Sequence, residues 1–396
     1  MNKINKKILA LTGIRSEYDL LYPVLEALRK DEDFEVKLLV GGTHLSKWHG
    51  NSVKVIERDG FEIARKVNYL IESDRPIKRA NGVGILIQEL SETLEEERPD
   101  FLFVIGDREE AIAAGVVGNY MEVIVVHLGG GDTVYGNADD PIRFAVSKLA
   151  HIHLTLSQKS AENLMRIGEE RFRIFNVGNS ALDRIRMTPE RTLQEVGSAL
   201  NFDISDGKYI VLLQHPLSSL WEDAGTQMRI TLKALEQFCA HTNYKVVAIY
   251  PNTDPGAGEI VDVFESYANK PFLRFYKNLD RDIFVNMMRY ARALVGNSSM
   301  GILEAPYYKL PVINVGGRQK GREQAGNVAF VPHEGKTIAQ AIHKACTDEK
   351  YRQKVSKLEN PFGDGRTSEK IKDVLRSIDP NDRKWFVKKD LAGPTI

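Results

Sequence analysis

The ten residues Phe101-Leu102-Phe103-Val104-Ile105-Gly106-Asp107-Arg108-Glu109-Glu110 hold the organisation of the whole chain in miniature. Five apolar residues run without interruption, then a glycine, then four charges. An unbroken apolar run of strand length reads as a parallel strand covered on both faces. A strand that ends in Gly-Asp sets a carboxylate at its carboxyl end, where open α/β sheets hold their ligands. Arg108 beside it would keep Asp107 ionised or orient it as a base. The same aspartate also suits a helix N-cap.

The pattern repeats outward in both directions. Apolar or β-branched runs at Lys7–Gly13, Phe34–Val40, Val123–Leu128, His153–Leu156 and Arg173–Val177 read as further strands. Amphipathic stretches at Glu17–Lys30, Ile77–Glu97 and Pro141–Ala150 read as helices between them. A polar stretch, Met187–Gly207, interrupts the alternation, and the pattern then restarts. Strands are expected at Tyr209–Leu213, Lys245–Tyr250, Phe272–Tyr276, Ala293–Val295 and Val312–Val315. Helices are expected at Thr192–Leu200, Thr226–His241, Asp282–Arg289, Ile338–Thr347 and Ser368–Ile378. Alternation of this kind means βαβ units and an α/β fold. The expectation is two doubly wound domains, residues 1–190 and 205–365, followed by a helix over 366–380.

Composition narrows the class. At 396 residues the chain has room for two or three domains. Lys plus Arg is 54 and Asp plus Glu is 54, so the formal charge is zero. That argues against a protein that coats nucleic acid. No apolar run reaches the roughly 18 residues of a membrane-spanning helix. The polar, basic residues Met1–Lys7 lead into a core strand and do not read as a signal peptide. Two cysteines, Cys239 and Cys346, with no CxxC and no histidine cluster at metal spacing, point to neither a disulfide scaffold nor a zinc site, and to a reducing cytoplasm.

Polar clusters follow the other strands too. Gly13-Ile14-Arg15-Ser16-Glu17 opens a helix, with Ser16 and Asp19 spaced as a capping box and Arg15 at an anion-friendly helix start. The alternative is a solvated turn. His127-Leu128-Gly129-Gly130-Gly131-Asp132 allows close backbone approach to a ligand, and Asp139-Asp140-Pro141-Ile142-Arg143 follows it as capping residues or as site carboxylates. Gln214-His215-Pro216 places the side chain best suited to proton transfer near neutral pH at a strand end, although a histidine there also serves structure alone. Gly296-Asn297-Ser298-Ser299-Met300-Gly301 has the strand–small turn–helix form of a phosphate cradle, with Glu304 placed for ribose hydroxyls. A basic loop, Gly316–Arg322, comes after the next strand. Neither GxGxxG nor a Walker A sequence is present, so the ordinary dinucleotide and ATP fingerprints fail.

The combination resembles the hydrolysing UDP-N-acetylglucosamine 2-epimerases, in particular the branch that opens sialic and legionaminic acid synthesis. The resemblance runs from about Lys6 to Ile378. It is carried by Arg15-Ser16-Glu17-Tyr18, Gly41-Gly42-Thr43-His44-Leu45, Gly106-Asp107-Arg108, Asp139-Asp140-Pro141-Ile142-Arg143 and Lys148-Leu149-Ala150-His151. In the second half it is carried by Gln214-His215-Pro216, Pro251-Asn252-Thr253-Asp254, Gly296-Asn297-Ser298-Ser299, Pro311-Val312-Ile313-Asn314, Gly317-Arg318-Gln319 with Gly321-Arg322, and Pro361-Phe362-Gly363-Asp364-Gly365.

The resemblance implies two Rossmann-like domains of the glycosyltransferase GT-B type, a site in the interdomain cleft and a last helix that returns to the first domain. It implies that UDP leaves C1 as the C2 proton is removed, and that water then adds to the glycal to release an N-acetylmannosamine-type sugar. Asp107, Asp139 and His215 match catalytic positions. Asn252, Ser298, Ser299 and Glu304 match positions that hold uridine and diphosphate, with Arg15, Arg108 and Arg318 near the phosphates and His44 and Arg143 among the binding residues. No cofactor or metal is implied, and the partners implied are a UDP-sugar and a second copy of the chain. One position departs from the family pattern. His-Ile-Glu-Gly-Gly-Glu is usual where this chain has His127-Leu128-Gly129-Gly130-Gly131-Asp132, so a catalytic glutamate is replaced by Gly129. Glu109 stands where the family usually has an aromatic residue, and is the expected relocated carboxylate. Hydrolysis without inversion, sugar transfer to an acceptor, and nucleotide-sugar binding without turnover are the alternatives.

Overall fold

The computed structural model describes residues 5–48, 50–71, 77–133, 139–217, 222–251 and 255–387, without the side chains of 139 and 140. The chain divides into two compact units, Met1–Arg184 with Phe362–Ile396, and Ile185–Pro361.

Unit 1 is built on seven strands: β1 (Lys6–Thr12), β2 (Phe34–Gly41), β3 (Glu62–Val67), β4 (Phe101–Ile105), β5 (Ile124–Leu128), β6 (Ile152–Thr155) and β7 (Ile174–Asn176). They form one sheet in the order β3-β2-β1-β4-β5-β6-β7, every pair parallel. Side chains of β1 alternate between two apolar layers. Ile8 and Ala10 meet Leu25 and Leu28 of the helix Arg15–Arg29, and Ile371 and Leu375 of the helix Thr367–Ser377. Leu9 and Leu11 meet Leu86 and Leu90 of the helix Ile77–Glu97, and Val117 of the helix Glu109–Tyr120. Period-two alternation with both faces apolar is what a sandwiched parallel sheet demands. Asp183 seats the start of the helix Thr367–Ser377, accepting from the Thr367 and Ser368 amides at 2.9 and 2.8 Å.

Unit 2 repeats the plan with β8 (Tyr209–Leu213), β9 (Lys245–Ile249), β10 (Leu273–Tyr276), β11 (Ala293–Gly296), β12 (Val312–Val315) and β13 (Val328–Val331), parallel in the order β10-β9-β8-β11-β12-β13. Ile210 and Leu212 face Met228, Ile260 and Ile338, while Tyr209 and Val211 face Val196 and Met287.

The α/β, doubly wound reading is borne out in both units. Two strands were missing from it, β3 and β13, and both are sheet edges. Their outer sides are open and both are half exposed; β3, Glu-Ile-Ala-Arg-Lys-Val, is largely polar, and β13, Val-Ala-Phe-Val, is apolar but only four residues long. The capping box also fails. The first helix starts at Arg15 with Ile14 as its N-cap, and no side chain caps it.

In both sheets the strand order reverses direction once, at β1/β4 and at β8/β11. A crevice outside the carboxyl ends forms at such a point because the two connections leave toward opposite faces. The sequence clusters after β1, β4, β8 and β11 therefore lie at the positions the topology opens.

Candidate functional site

At the β1/β4 reversal the turn Gly13–Glu17 lies beside the turn Gly106–Glu110. Gly106 ends β4 with φ +72°, a left-handed conformation that glycine adopts freely. The helix that follows begins at Glu109, its N-cap is Arg108, and no side chain caps it. Asp107 is therefore not a helix cap. Its carboxylate pairs instead with Arg143 Nη2 of the helix Asp139–Leu149, 36 residues away in sequence. Arg143 Nη1 also donates to the Asp132 carbonyl at 2.8 Å and lies 3.3 Å from Asp132 Oδ2. One guanidinium so ties together three of the clusters found in sequence.

Arg108 sits between two carboxylates without a close bond to either. Its Nε is 3.8 Å from Glu17 Oε1 and its Nη2 3.7 Å from Glu109 Oε2. Glu109 is buried and receives Arg79 Nε at 2.5 Å. Burial works against its charge, but the Arg79 bond and the Arg108 field prevail and hold its carboxyl below the usual range. Glu110, the next residue, is the opposite case. It is 3% exposed, accepts from the Tyr69 hydroxyl, and burial pushes it up to about 7. Three buried atoms here, Arg108 Nε, Glu109 Oε2 and Glu110 Oε2, have no hydrogen-bond partner. Beside them a cavity of about 280 Å³ opens among Gly42, Thr43, Tyr69, Arg79, Arg108 and Glu109.

His127 of β5 is buried, with Nε2 2.7 Å from the Gly106 carbonyl, and burial takes it down to about 3, so the imidazole is neutral. Gly129 follows with φ +87°, and a Cβ there would meet nothing nearer than Gly106 N at 4.0 Å. His44 is buried, with Nε2 3.0 Å from Thr12 Oγ1 and Nδ1 2.7 Å from Ser52 Oγ. Arg15 is exposed on the first turn of its helix. Asp139 opens the helix Asp139–Leu149, and its side chain lies outside the described ones.

At the β8/β11 reversal a pair of neutral bonds locks the two turns. His215 N donates to Asn297 Oδ1 at 2.7 Å, and Asn297 Nδ2 returns a bond to the His215 carbonyl at 2.9 Å. Gly296 permits this closeness, since a Cβ on it would stand 2.0 Å from the Leu213 carbonyl. Burial and the Arg318 charge bring His215 down to about 4 and keep its ring neutral. Arg318 Nη1 and Gln319 Nε2 both donate to the Asn297 carbonyl at 3.2 Å. Ser298 Oγ accepts from Met300 N at 3.4 Å, and Ser298, Ser299 and Glu304 are all half-buried along the following turn. Arg281 Nη2 stands 3.9 Å from Glu304 Oε2. Asn252 lies outside the described residues.

The geometry thus brings Asp107, Arg108, Glu109 and Arg143 together in unit 1, and His215, Ser298, Ser299, Glu304 and Arg318 along the strand ends of unit 2. Sequence reasoning passed over Glu17, Tyr69, Arg79 and Glu110. Glu110 had a signal, as a second acid after Glu109 at a strand end, but only the structure separates the two by environment. Tyr69 and Arg79 had none, because they reach the site from β3's exit and the next helix. Among the described residues no cluster of three or more His, Cys, Asp or Glu is placed to hold a metal ion, and no helix is long and apolar enough to cross a membrane.

Residues 26–376 match the family model described as UDP-N-acetylglucosamine 2-epimerase. The chain is 32% identical over 373 residues to the UDP-N,N'-diacetylbacillosamine 2-epimerase (hydrolyzing) of Legionella pneumophila, covering 94% of this chain and 96% of that one. It is 31% identical to the UDP-N-acetylglucosamine 2-epimerase of Neisseria meningitidis, with 96% and 97% covered. In fold it is similar to the crystal structure of UDP-GlcNAc 2-epimerase from Neisseria meningitidis bound to UDP-GlcNAc, with a TM-score of 0.79 at 21% identity, covering 94% of this chain and 100% of that one.

Proposed function

The chain belongs to the UDP-N-acetylglucosamine 2-epimerase family, and from that premise we propose that it hydrolyses a UDP-activated 2-acetamido sugar with inversion at C2. The products are UDP and a free sugar of the N-acetylmannosamine type, a precursor for nonulosonic acid synthesis. The Legionella relative's name supports a 2,4-diacetamido-6-deoxy sugar as substrate, and the Neisseria relative's supports UDP-N-acetylglucosamine.

One observation carries the reading: Arg143 binds Asp107 and Asp132 at the β1/β4 reversal, joining motifs far apart in sequence around one strand end. The C2 proton passes to a carboxylate at this strand end, with Asp107, Asp139 and Glu109 as the acid–base set. Glu109 suits the part of base, being held ionised by Arg79 and Arg108 with one oxygen unbonded. UDP leaves C1 as the C1–C2 double bond forms. Water then adds at C1, and a proton returns to C2 from the opposite face. Arg15, Arg108 and Arg318 balance the diphosphate charge, Ser298 and Ser299 bond its oxygens, and Asn252 and Glu304 hold the nucleoside. His215 is neutral at physiological pH, so it serves the leaving phosphate through an N–H bond.

Proton NMR of purified protein with each UDP-sugar in deuterium oxide tests this. The expected result is UDP together with an inverted sugar carrying deuterium at C2. UDP with a sugar that keeps its C2 proton and configuration would replace this reading with plain hydrolysis. No release from any UDP-2-acetamido sugar would overturn it.

A further inference from the structure

Two buried carboxyls meet at Gly13 in unit 1, one from each side of the β1/β4 reversal. Glu17 Oε2 lies 3.4 Å from the Gly13 amide, and a Cβ on Gly13 would fall 1.3 Å from Glu110 Oε1 and 2.2 Å from the Tyr69 hydroxyl. The Glu110 carboxyl and the Tyr69 hydroxyl therefore fill the space that a side chain at residue 13 would take, and the Glu17 carboxyl faces the same residue's amide. Glu17 and Glu110 are 9% and 3% exposed, and Glu110 Oε2 has no partner among the described residues. Among the described residues the cation within reach of the Glu17 carboxylate is Arg108, at 3.8 Å.

We propose that Glu17 and Glu110 together hold one proton, and that this proton keeps Arg108 a net cation toward the substrate's diphosphate. Glu110 acts as a positioning residue through Glu17 and Arg108. The inference rests on the reading of Arg108 as a diphosphate group, given above.

The charges around the pair explain why the proton matters. From the helix Arg15–Arg29 comes Glu17. From the turn before the helix Glu109–Tyr120 come Asp107 and Arg108, and from that helix Glu109 and Glu110. Tyr69 comes from the exit of β3, and Arg79 from the helix Ile77–Glu97. Arg143 neutralises Asp107, and Arg79 neutralises Glu109. Arg108 is then left with Glu17, whose carboxyl shares the Gly13 corner with Glu110. With both ionised it would face two negative charges, and its attraction for an anion would be cancelled. With one proton on the pair, the cluster can accept a diphosphate. Burial raises Glu17 as well as Glu110, and the Glu110 charge raises Glu17 further, as a like charge in a dry site does.

Coupling between the proton and the ligand is reciprocal. UDP affinity is therefore expected to fall about five- to tenfold as Glu110 ionises, within the ordinary range for coupled sites. The test is the Kd of UDP by calorimetry at pH steps from 6 to 8.5, on the whole protein. Glu110→Gln carries no ionisable proton and is expected to abolish the fall. Comparison of wild type with variant removes the titration of UDP's own terminal phosphate, which lies near pH 6. Tyr69→Phe removes the donor that steadies the Glu110 carboxylate, and is expected to move the break in affinity to higher pH. It tests the same link without altering the acid itself. If wild type and Glu110→Gln share one pH profile, the inference fails while the UDP reading stands. If Tyr69→Phe leaves the break unmoved, Glu110 is not the titrating group and the inference fails. If wild type binds no UDP at any pH, both the reading and the inference fall.

Discussion

The two strand-order reversals share one topology and differ in chemistry. At β8/β11 the two turns lock through a pair of neutral bonds between His215 and Asn297, and Arg318 donates to a carbonyl. At β1/β4 Asp107, Glu109, Glu110 and Glu17 crowd around Arg108 and Arg143, and three buried polar atoms lack partners. A buried polar atom without a partner costs about 1–3 kcal/mol, so the β1/β4 cluster carries that cost around its charges, whereas the His215–Asn297 lock has both of its bonds made. Under the proposed function the contrast divides labour: the locked turn of unit 2 would hold the nucleotide, and the cluster of acids and cations in unit 1 would move protons.

Mutating one residue at each reversal puts that division to its sharpest test. Asp107→Asn keeps the shape of the turn and loses the charge that Arg143 answers. It is expected to lower kcat about 10²–10⁴-fold with little change in UDP affinity, the scale of a lost acid–base group. Arg318→Ala should do the reverse, raising KM about 10–100-fold through loss of a charge-assisted bond while kcat moves far less. Steady-state kinetics with UDP titrations measure both. Equal kcat losses from the two would dissolve the division.

The glycines sharpen the comparison on the side of stability. Gly296 is packed against the Leu213 carbonyl, at 2.0 Å from where a Cβ would be, and its φ is +134°. Gly129 has φ +87° and open space. Gly296→Ala must displace backbone, and is expected to cost about 3 kcal/mol or more, beyond ordinary left-handed strain. Gly129→Ala carries the strain alone, about 1–2 kcal/mol. Denaturant unfolding compares them, and a larger loss at Gly129 would mean that its turn is less open than it looks.

How much of this was legible in sequence follows from what sequence encodes. The central strands were read because burial on both faces forces continuous apolar runs. The edge strand β3 escaped because one open side lets Glu62, Arg65 and Lys66 in, and β13 because it is a run of only four residues, Val328–Val331. The strand-end clusters were found because turns after parallel strands concentrate glycine and charge. Their pairing was not. Arg143 read as a binding residue, but nothing in its spacing tells that it would answer Asp107. Glu109 and Glu110 are neighbours with the same chemistry, and only the Arg79 bond on one and the uncompensated burial of the other set an acid held below the usual range beside one raised to about 7. Such distinctions depend on segments that local pattern cannot bring together.

The smallest expected effect is one of sign. Glu110 is raised from the ordinary glutamate value to about 7 in the folded protein. Between those values the folded state holds a proton that the unfolded chain has released, so stability is full below about pH 4.5 and is lost as pH rises through 7. His215, brought down to about 4, acts the other way at β8/β11. Its share of stability is present above the ordinary histidine value and is lost as pH falls toward 4. His44 and His127, brought down to about 4 and about 3 in unit 1, add to that acid limb. Glu110→Gln removes only the first dependence. At pH 8 it is expected to raise Tm by about 2–6 °C over wild type, for about 1–2 kcal/mol relieved. As pH falls through 4.5 the gain should fade, because wild-type Glu110 becomes protonated in the unfolded chain as well. Thermal melts across this range decide it. A gain that is flat with pH would mean that Gln packs better without bearing on the proton. A loss at pH 8 would mean that the Glu110 carboxylate is stabilised as an anion, and the contrast between the reversals would then lie in charge pairing and not in proton storage.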